Sequence, residues 1–408
     1  MPTKRLSIVI IGGGAAGFFA AIRCAEQNPT TDVIILERGK NVLEKVKISG
    51  GGRCNVTHDC PSPAELIKHY PRGARELLGP FHQFACQDTV QWFERRGVRL
   101  KTEADGRIFP VSDDSQTIID CLWQSARAAG VQVRTRTRVD AFKYDVQRQH
   151  WQVQTEQENF VADRLLLASG SNARMWELLQ QLGHTIVKPV PSLFTFNIRD
   201  PRIQDLPGIS VPEATVQVVD TKLHATGPLL VTHWGMSGPA ILKLSAWGAR
   251  ELAERQYRFE LLVNWLGQSP QEVQSVLQDA RAASPRKQLI TNAMFGLSAR
   301  LWRNLVLAAD IPEVRKWADV SKKELQALVA QLCAGRFQVN GKSTFKEEFV
   351  TAGGVDLREV QFKTFASKLL PNLYFAGEVL NIDAITGGFN FQAAWTGGWI
   401  TGEAIAKE

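Results

Sequence analysis

Two short stretches of the sequence carry residues whose types and spacing suit chemistry. Glycines 12, 14 and 17 follow the pattern Gly-x-Gly-x-x-Gly, and an acid, Glu37, stands twenty residues beyond the third glycine. Glycine lets backbone N–H groups approach a phosphate closely, and a carboxylate accepts hydrogen bonds from ribose hydroxyls. The other stretch, residues 47–57, reads KISGGGRCNVT and places a thiol, Cys54, after three glycines and an arginine. The first stretch predicts a dinucleotide site, and the second supplies a thiol, a group that is protonated at neutral pH and can donate a proton.

The elements around the first stretch are those that such a site requires. Residues 6–11 (LSIVII) are apolar and β-branched, as in a strand buried on both faces of a parallel sheet, and residues 33–36 (VIIL) form a second such run. A helical pattern lies between them, and the free amides of a helix N-terminus attract phosphate. The alternative is a glycine loop that serves packing alone. We expect the dinucleotide to contact Gly12, Gly14, Ala15, Ala16, Gly17, Glu37 and Arg38.

Two later segments indicate which dinucleotide is bound. Residues 164–167 (RLLL) form an apolar run followed by small residues up to Gly170, and residues 373–376 (LYFA) precede Gly377 and Glu378. In flavoproteins such segments close over the cofactor and contact its ribityl chain, so we expect FAD. Because only one Gly-x-Gly-x-x-Gly is present, NAD(P)H is expected only as a transient electron donor. A further helix would direct its positive end at the flavin ring from residues Gly387, Gly388, Phe389 and Asn390.

The sequence resembles the bacterial FAD-binding family called BaiN/RdsA-like, also described as YhiN-type or aminoacetone-oxidase-like, over essentially its whole length. The motifs that carry the resemblance are KISGGGRCNVT at residues 47–57, GRIFPVS at 106–112, THWGMSGP at 232–239, TAGGV at 351–355 and the segment from Gly377 to Gln392. The resemblance implies that Gly52, Arg53, Cys54 and Asn55 also lie at the cofactor, with Cys54 as the candidate proton donor. It implies no metal site.

The resemblance also implies a fold and a division into domains. The expected fold class is α/β, with a two-dinucleotide-type Rossmann-like FAD domain, an inserted β-barrel-like domain and a small helical domain. The FAD domain would comprise residues 1–190 and 351–408, the barrel-like domain 191–265 and 336–350, and the helical insert 266–335. Within these segments, residues 215–219 and 259–263 read as strands, and Pro270 and Pro312 stand near two expected helix starts.

One branch of the family resembles a dihydrouridine synthase that acts on large-subunit ribosomal RNA. The leading expectation is therefore an FAD-dependent oxidoreductase that reduces uridine in 23S rRNA with NAD(P)H, with 23S rRNA or a ribosome precursor as its partner. One alternative is an oxidase or reductase of a small molecule, such as an amine or an enoate. Another is an FAD-binding assembly factor without turnover. The sequence leaves the substrate, the electron donor and the oligomeric state open.

Composition is compatible with an RNA partner. The net charge is +7, and basic residues cluster at Arg95, Arg96, Arg99 and Lys101, along a probable strand at Arg134, Arg136 and Arg138, and at Arg281, Arg286, Lys287, Arg300 and Arg303. Each cluster is also explained by a solvated surface. The six cysteines show no spacing typical of zinc sites or disulfide frameworks, which favours a reducing compartment. We expect a cytoplasmic protein without membrane segments.

Overall fold

The computed structural model describes residues 5–343 and 350–407. In those residues the helices are α1 (Ala15–Gln27), α2 (Glu44–Gly52), α3 (Pro63–Leu66), α4 (Ala74–Gln83), α5 (Cys86–Glu94), α6 (Gln116–Ala128), α7 (Ala173–Gln181), α8 (Pro239–Trp247), α9 (Ala249–Glu254), α10 (Pro270–Ala283), α11 (Ala299–Ala308), α12 (Lys322–Ala334) and α13 (Phe389–Ala406). The backbone leaves helical geometry inside α2 at Ser49.

The strands of the first half are β1 (Ser7–Ile11), β2 (Asp32–Leu36), β3 (Thr57–His58), β4 (Leu100–Thr102), β5 (Arg107–Pro110), β6 (Gln132–Arg134), β7 (Val139–Asp145), β8 (His150–Thr155), β9 (Asn159–Ala162) and β10 (Arg164–Leu167). Those of the second half are β11 (Ile186–Ser192), β12 (Thr195–Ile198), β13 (Ser210–Val218), β14 (His224–Thr232), β15 (Gly235–Ser237), β16 (Arg258–Asn264), β17 (Gly335–Ser343), β18 (Val350–Val355), β19 (Val360–Gln361), β20 (Ala366–Ser367) and β21 (Leu373–Phe375).

The chain divides into two compact units, one formed by residues 5–190 and 350–407 and the other by residues 191–343. The first unit is built on a seven-stranded sheet in the order β19-β20-β21-β10-β1-β2-β6. Strands β21, β10, β1, β2 and β6 run parallel, and β1 and β10 are almost fully buried. Parallel strands covered on both faces need continuous apolar runs, which is what the sequence supplies. The expected Rossmann-like fold is confirmed.

Helices α1 and α13 pack closely against each other beside this sheet. A Cβ atom at Gly398 would lie 2.8 Å from the carbonyl oxygen of Ala16, and one at Gly402 would lie 2.6 Å from that of Ala20. Phe19 fills the adjoining core between Trp92 and Trp395. The guanidinium of Arg164 donates to the carbonyl oxygen of Ile405 at 2.6 Å, so it satisfies one of the carbonyls left open at the end of α13. The first and last helices therefore form one layer.

The second unit contains a closed barrel in the strand order β12-β15-β14-β13-β16-β17. Helices α10, α11 and α12 share one hydrophobic core with the barrel, in which Trp265 and Trp302 are fully buried. Helix α10 begins at Pro270, as expected, behind a capping box of Ser269 and Glu272. In the described residues no helix begins near Pro312, so that prediction is wrong.

The chain after Pro312 instead forms a short 3₁₀ turn, Trp317–Asp319, before α12. Helix α12 starts later, behind a second capping box in which the hydroxyl of Ser321 accepts from the amide of Glu324 at 3.2 Å.

The prediction of one strand that carries three arginines is also corrected. Arg134 ends β6, whereas Arg136 has φ +54° and interrupts the extended backbone, so Arg134, Arg136 and Arg138 do not share one strand face.

None of the helices in the described residues combines the length and the apolar character that a membrane span requires.

Candidate functional site

The first glycine turn joins β1 to α1 and fits the predicted phosphate site. Gly12 has φ +114°, and a Cβ there would lie 2.4 Å from the carbonyl oxygen of Ala168. A Cβ at Gly17 would lie 2.1 Å from the carbonyl oxygen of Gly12, so both positions require glycine. Gly14 caps α1, and the space beside its Cα is open to at least 4 Å. The amides of Ala15 and Ala16 open the helix, where amides lack intrahelical partners and attract anions.

Glu37 is fixed beside this turn by backbone amides. The amide of Gly13 donates to its Oε2 at 2.9 Å, and the amide of Gly39 donates to its Oε1 at 2.7 Å. Each carboxylate oxygen has two lone pairs, so one position on each oxygen stays available for a ribose hydroxyl. Arg38 is exposed next to it. The carboxylate is therefore oriented before any ligand binds.

The middle and the end of the chain meet at the same place. A Cβ at Gly377 would lie 3.1 Å from the Cβ of Ala16, and a Cβ at Gly170 would lie 3.8 Å from a carboxylate oxygen of Glu378. Glu378 also forms an ion pair with Lys45 of α2. Three segments that are far apart in sequence thus converge around the N-terminus of α1, as the prediction requires.

Ser169 is a residue that sequence reasoning missed. Its hydroxyl is buried and has no hydrogen-bond partner among the described residues, and its Cα lies 2.9 Å from the position of a Cβ on Gly12. A buried polar group without a partner costs about 1–3 kcal/mol, so such groups occur where a ligand supplies the missing bond. The position of Ser169 shortly after the buried strand β10 is the sequence signal that could have identified this residue. This orphaned hydroxyl and the glycine cradle fit a bound dinucleotide.

The second glycine stretch forms a left-handed turn at the end of α2. Gly50, Gly51 and Gly52 have φ of +58°, +69° and +84°, and the space beside Gly51 and Gly52 is open. Arg53 lies over the ring of Phe109 at 4.0 Å and donates to Glu103 at 2.7 Å, so its side chain is held by the hairpin of β4 and β5. The turn thus has open space beside Gly51 and Gly52, whereas its arginine is already engaged.

Cys54 occupies a different environment from the glycines that precede it. Its side chain is fully buried in the hydrophobic core of the first unit, with φ +60°. Burial raises the pKa of the thiol to about 12, and a hydrogen bond with Ser49 only partly opposes this. These surroundings argue against Cys54 as a proton donor, because the thiol is a weak acid and does not reach the surface.

The C-terminal part of the expected site is only partly available to a cofactor. Gly388 caps α13, and Asn55, with its amide oriented to suit its neighbours, accepts from the Gly388 amide at 2.9 Å. The ring of Phe389 is buried and stacks on His69 at 4.1 Å, while the amide of Asn390 bonds both backbone groups of Ala384. The side chains of Phe389 and Asn390 thus support the turn and do not extend from it.

Other polar residues that the sequence did not single out brace this turn. His58 bonds the carbonyl oxygen of Gly387 through Nδ1 at 3.1 Å, and Asp383 is fully buried in an ion pair with Arg72. Gln392 accepts from Thr57 at 2.6 Å and from Thr89 at 2.9 Å. Such long-range pairs leave no local sequence signal.

The family model described as HI0933-like protein Rossmann domain matches residues 6–404. The chain belongs to this family. The chain is 27% identical over 408 residues to the ribosomal RNA dihydrouridine synthase of Escherichia coli, covering 97% of both chains. It is 26% identical over 413 residues to the 3-dehydro-bile acid delta(4,6)-reductase of Clostridium scindens, covering 98% of this chain and 99% of that protein.

The fold is also that of solved flavoenzymes. The 3-ketosteroid-delta4-(5alpha)-dehydrogenase from Rhodococcus jostii superposes with a TM-score of 0.52 at 15% identity, and the alignment covers 100% of this chain and 99% of that chain. The resemblance expected from the sequence motifs is confirmed, and the HI0933-like family is a family of FAD-dependent oxidoreductases.

Proposed function

We propose that this member of the HI0933-like family binds FAD around the N-terminus of α1 and uses it to reduce uridine to dihydrouridine in 23S rRNA. The observation that carries the proposal is the convergence of the Gly12 turn, Gly170 and Glu378 around an orphaned Ser169 hydroxyl. The names of relatives that match along their whole length support the choice of substrate.

Different residues would bind different parts of the cofactor. The amides of Gly14, Ala15 and Ala16 would hold the pyrophosphate, and Glu37 would accept the hydroxyls of the adenosine ribose. Gly170 and Glu378 would line the path of the ribityl chain. The positive end of α13 at Gly388 would face the flavin ring and favour negative charge there.

NAD(P)H would reduce the bound FAD. The reduced FAD would then supply the hydride for C6 of the uracil. The chain has to orient the base, keep water away and allow a proton to reach C5. Burial of the Cys54 thiol, which raises its pKa to about 12, argues against this residue as the source of the proton. The open backbone of Gly51 and Gly52 is the part of the second glycine turn that a substrate could approach.

The deciding experiment is mass mapping of dihydrouridine in 23S rRNA from cells with and without the gene. Loss of one dihydrouridine, fully restored by the wild-type chain and only in part by Glu37→Gln, is the expected result. Asp32→Asn is the matched control, because it makes the same acid-to-amide change at the exposed start of β2. An unchanged map would remove the proposed substrate.

A small-molecule reductase is the second candidate, and the full-length similarity to a 3-dehydro-bile acid reductase favours it. It predicts oxidation of NAD(P)H by an enone and no dependence of the rRNA map on the gene. An FAD-binding assembly factor predicts neither oxidation of NAD(P)H by an enone nor formation of dihydrouridine.

A further inference from the structure

A cavity of about 260 Å³ lies in the first unit, between α1, α5 and α13. Its lining includes Arg23, Glu26, Trp92, Arg95, Arg96 and Trp399. The cavity is smaller than the roughly 300–1,000 Å³ of sites for drug-sized ligands, so it suits one planar ring system. None of these residues belongs to the proposed FAD site, and Arg23 stands nine residues after Gly14, roughly 13 Å along α1.

Two guanidinium groups lie over tryptophan rings at this cavity. The Cζ of Arg23 is 3.7 Å from the ring centre of Trp399, and the Cζ of Arg96 is 3.8 Å from that of Trp92. Arg96 also donates to Glu26 at 2.5 Å, and Arg23 is paired with Glu403. A guanidinium group is planar, and a nucleobase can stack on it.

The remaining lining groups suit the edge of a base. Gln83, Gln91 and Asp88 are exposed at the cavity and supply both donors and acceptors. The buried Nε of Arg23 has no hydrogen-bond partner among the described residues. The carboxylates of Glu26, Glu403 and Asp88 balance the three arginines in number, so the cavity favours a neutral ring. Arg95, exposed and bonded to Gln91 at 3.1 Å, is the arginine placed to contact a phosphate.

We propose that this cavity holds the base of an unpaired nucleotide of the RNA substrate, stacked on the guanidinium groups, with its phosphate at Arg95. The inference rests on the proposed function. Trp399 lies eleven residues beyond Gly388 in the same helix, roughly 16 Å along its axis, so a few nucleotides of one strand can connect the two places. The cavity then selects rRNA that has a single-stranded neighbour beside the target uridine.

The test is a titration of the holoenzyme with a fluorescein-labelled single-stranded oligoribonucleotide, followed by fluorescence anisotropy. Arg95→Glu is expected to raise Kd at least fivefold, and Arg96→Gln at least threefold. Arg148→Glu is the matched control, since Arg148 is an exposed arginine of the same unit on the turn between β7 and β8, outside the cavity. It is expected to raise Kd less than twofold.

A second oligonucleotide series replaces one base at a time by an abasic site. An abasic site at one position should raise the Kd of the wild type. The same abasic site should leave the Kd of Arg96→Gln unchanged. Equal losses for Arg95→Glu and Arg148→Glu, or no sensitive position, would overturn the cavity assignment. The dihydrouridine map of wild-type cells is read separately, so a failed map removes the proposed reaction while the binding data still decide the cavity.

Discussion

The thiol of Cys54 lies in the core, although the glycines before it form an open turn. The residue adopts φ +60°, which turns its side chain inward at the point where the chain leaves Gly50, Gly51 and Gly52 for β3. A small apolar side chain is what this position needs, because cysteine behaves as a small hydrophobe when buried. Its role is packing beneath the turn.

Replacing Cys54 by alanine tests this role. We expect Cys54→Ala to keep the rate and the pH profile of the flavin reaction, and to lower the free energy of unfolding by about 1–2 kcal/mol through the small cavity it leaves. Chemical denaturation and steady-state assays measure both quantities. Cys24→Ala, at another buried thiol in α1, is the control. A rate lost in Cys54→Ala alone would restore the thiol as a proton donor.

Glu37 has the opposite character, because its carboxylate is half-buried and oriented by two amides. An amide in its place presents an NH₂ group to one of those amide donors and loses an acceptor for ribose. Glu37→Gln is therefore expected to raise the Kd for FAD about tenfold, or about 1.4 kcal/mol. Flavin fluorescence titration measures it, with Asp32→Asn as the control. Equal affinities in the two variants would contradict the assigned ribose contact.

At the scale of elements, a buried histidine connects the helical side of the first unit to its antiparallel edge strands. His184 bonds Glu359 through Nδ1 at 2.9 Å and Ser367 through Nε2 at 3.1 Å. Burial acts to raise the pKa of Glu359, but hydrogen bonds from Thr185 and His184 outweigh it and hold the pKa below its ordinary value. The ionised carboxylate is therefore part of the folded arrangement.

This lowered pKa gives a pH-dependent prediction. A carboxyl group with a depressed pKa stabilises the fold above its unfolded pKa, about 4.3, and loses that contribution as the pH falls through its folded pKa. Glu359→Gln is expected to lower the free energy of unfolding by about 1 kcal/mol at pH 7, and the difference from the wild type should shrink below about pH 4. Urea unfolding between pH 3 and 8 measures it. A difference that is constant with pH would contradict the ionised contact.

Local patterns predicted the elements that depend on neighbouring residues. The run to Ile11, the glycines from Gly12 to Gly17 and the run to Leu36 specify β1, the turn and β2, because strand burial and turn geometry are readable over a few residues. The pattern after Gly388 likewise marked the start of α13. Pro312 does not begin a helix, and α12 begins instead behind the capping box at Ser321.

Side-chain assignments at the site were harder to predict, since they depend on partners far away in the sequence. Asn390 looked available for a ligand, but its amide bonds Ala384, and Phe389 packs on His69. The hydroxyl of Ser169 is recognisable as a candidate ligand contact only from the packing of the end of β10 against the turn at Gly12. No spacing rule carries such information.

At the scale of the whole molecule, the proposed FAD contacts all lie in the unit formed by residues 5–190 and 350–407. A ligand that binds only the folded form stabilises it by about 2.7 kcal/mol when present at 100 times its Kd. Removing FAD is therefore expected to lower the unfolding temperature of that unit and leave residues 191–343 unchanged.

Hydrogen exchange followed by mass spectrometry, with and without FAD, resolves the two units. Peptides from β1, α1 and α13 should exchange faster in the apoprotein, while peptides from the barrel strands β13 and β16 should not change. Faster exchange throughout the barrel would show that the cofactor stabilises both units.

The close packing of α1 on α13 also has a consequence for protein synthesis. The glycine turn at Gly12 is synthesised early, but the helix that completes its surroundings begins at Phe389, 377 residues later. Residues 191–343 are continuous and can fold during translation, whereas the segment around Gly12 has to wait for α13. We therefore expect flavin capture only after α13 has emerged from the ribosome.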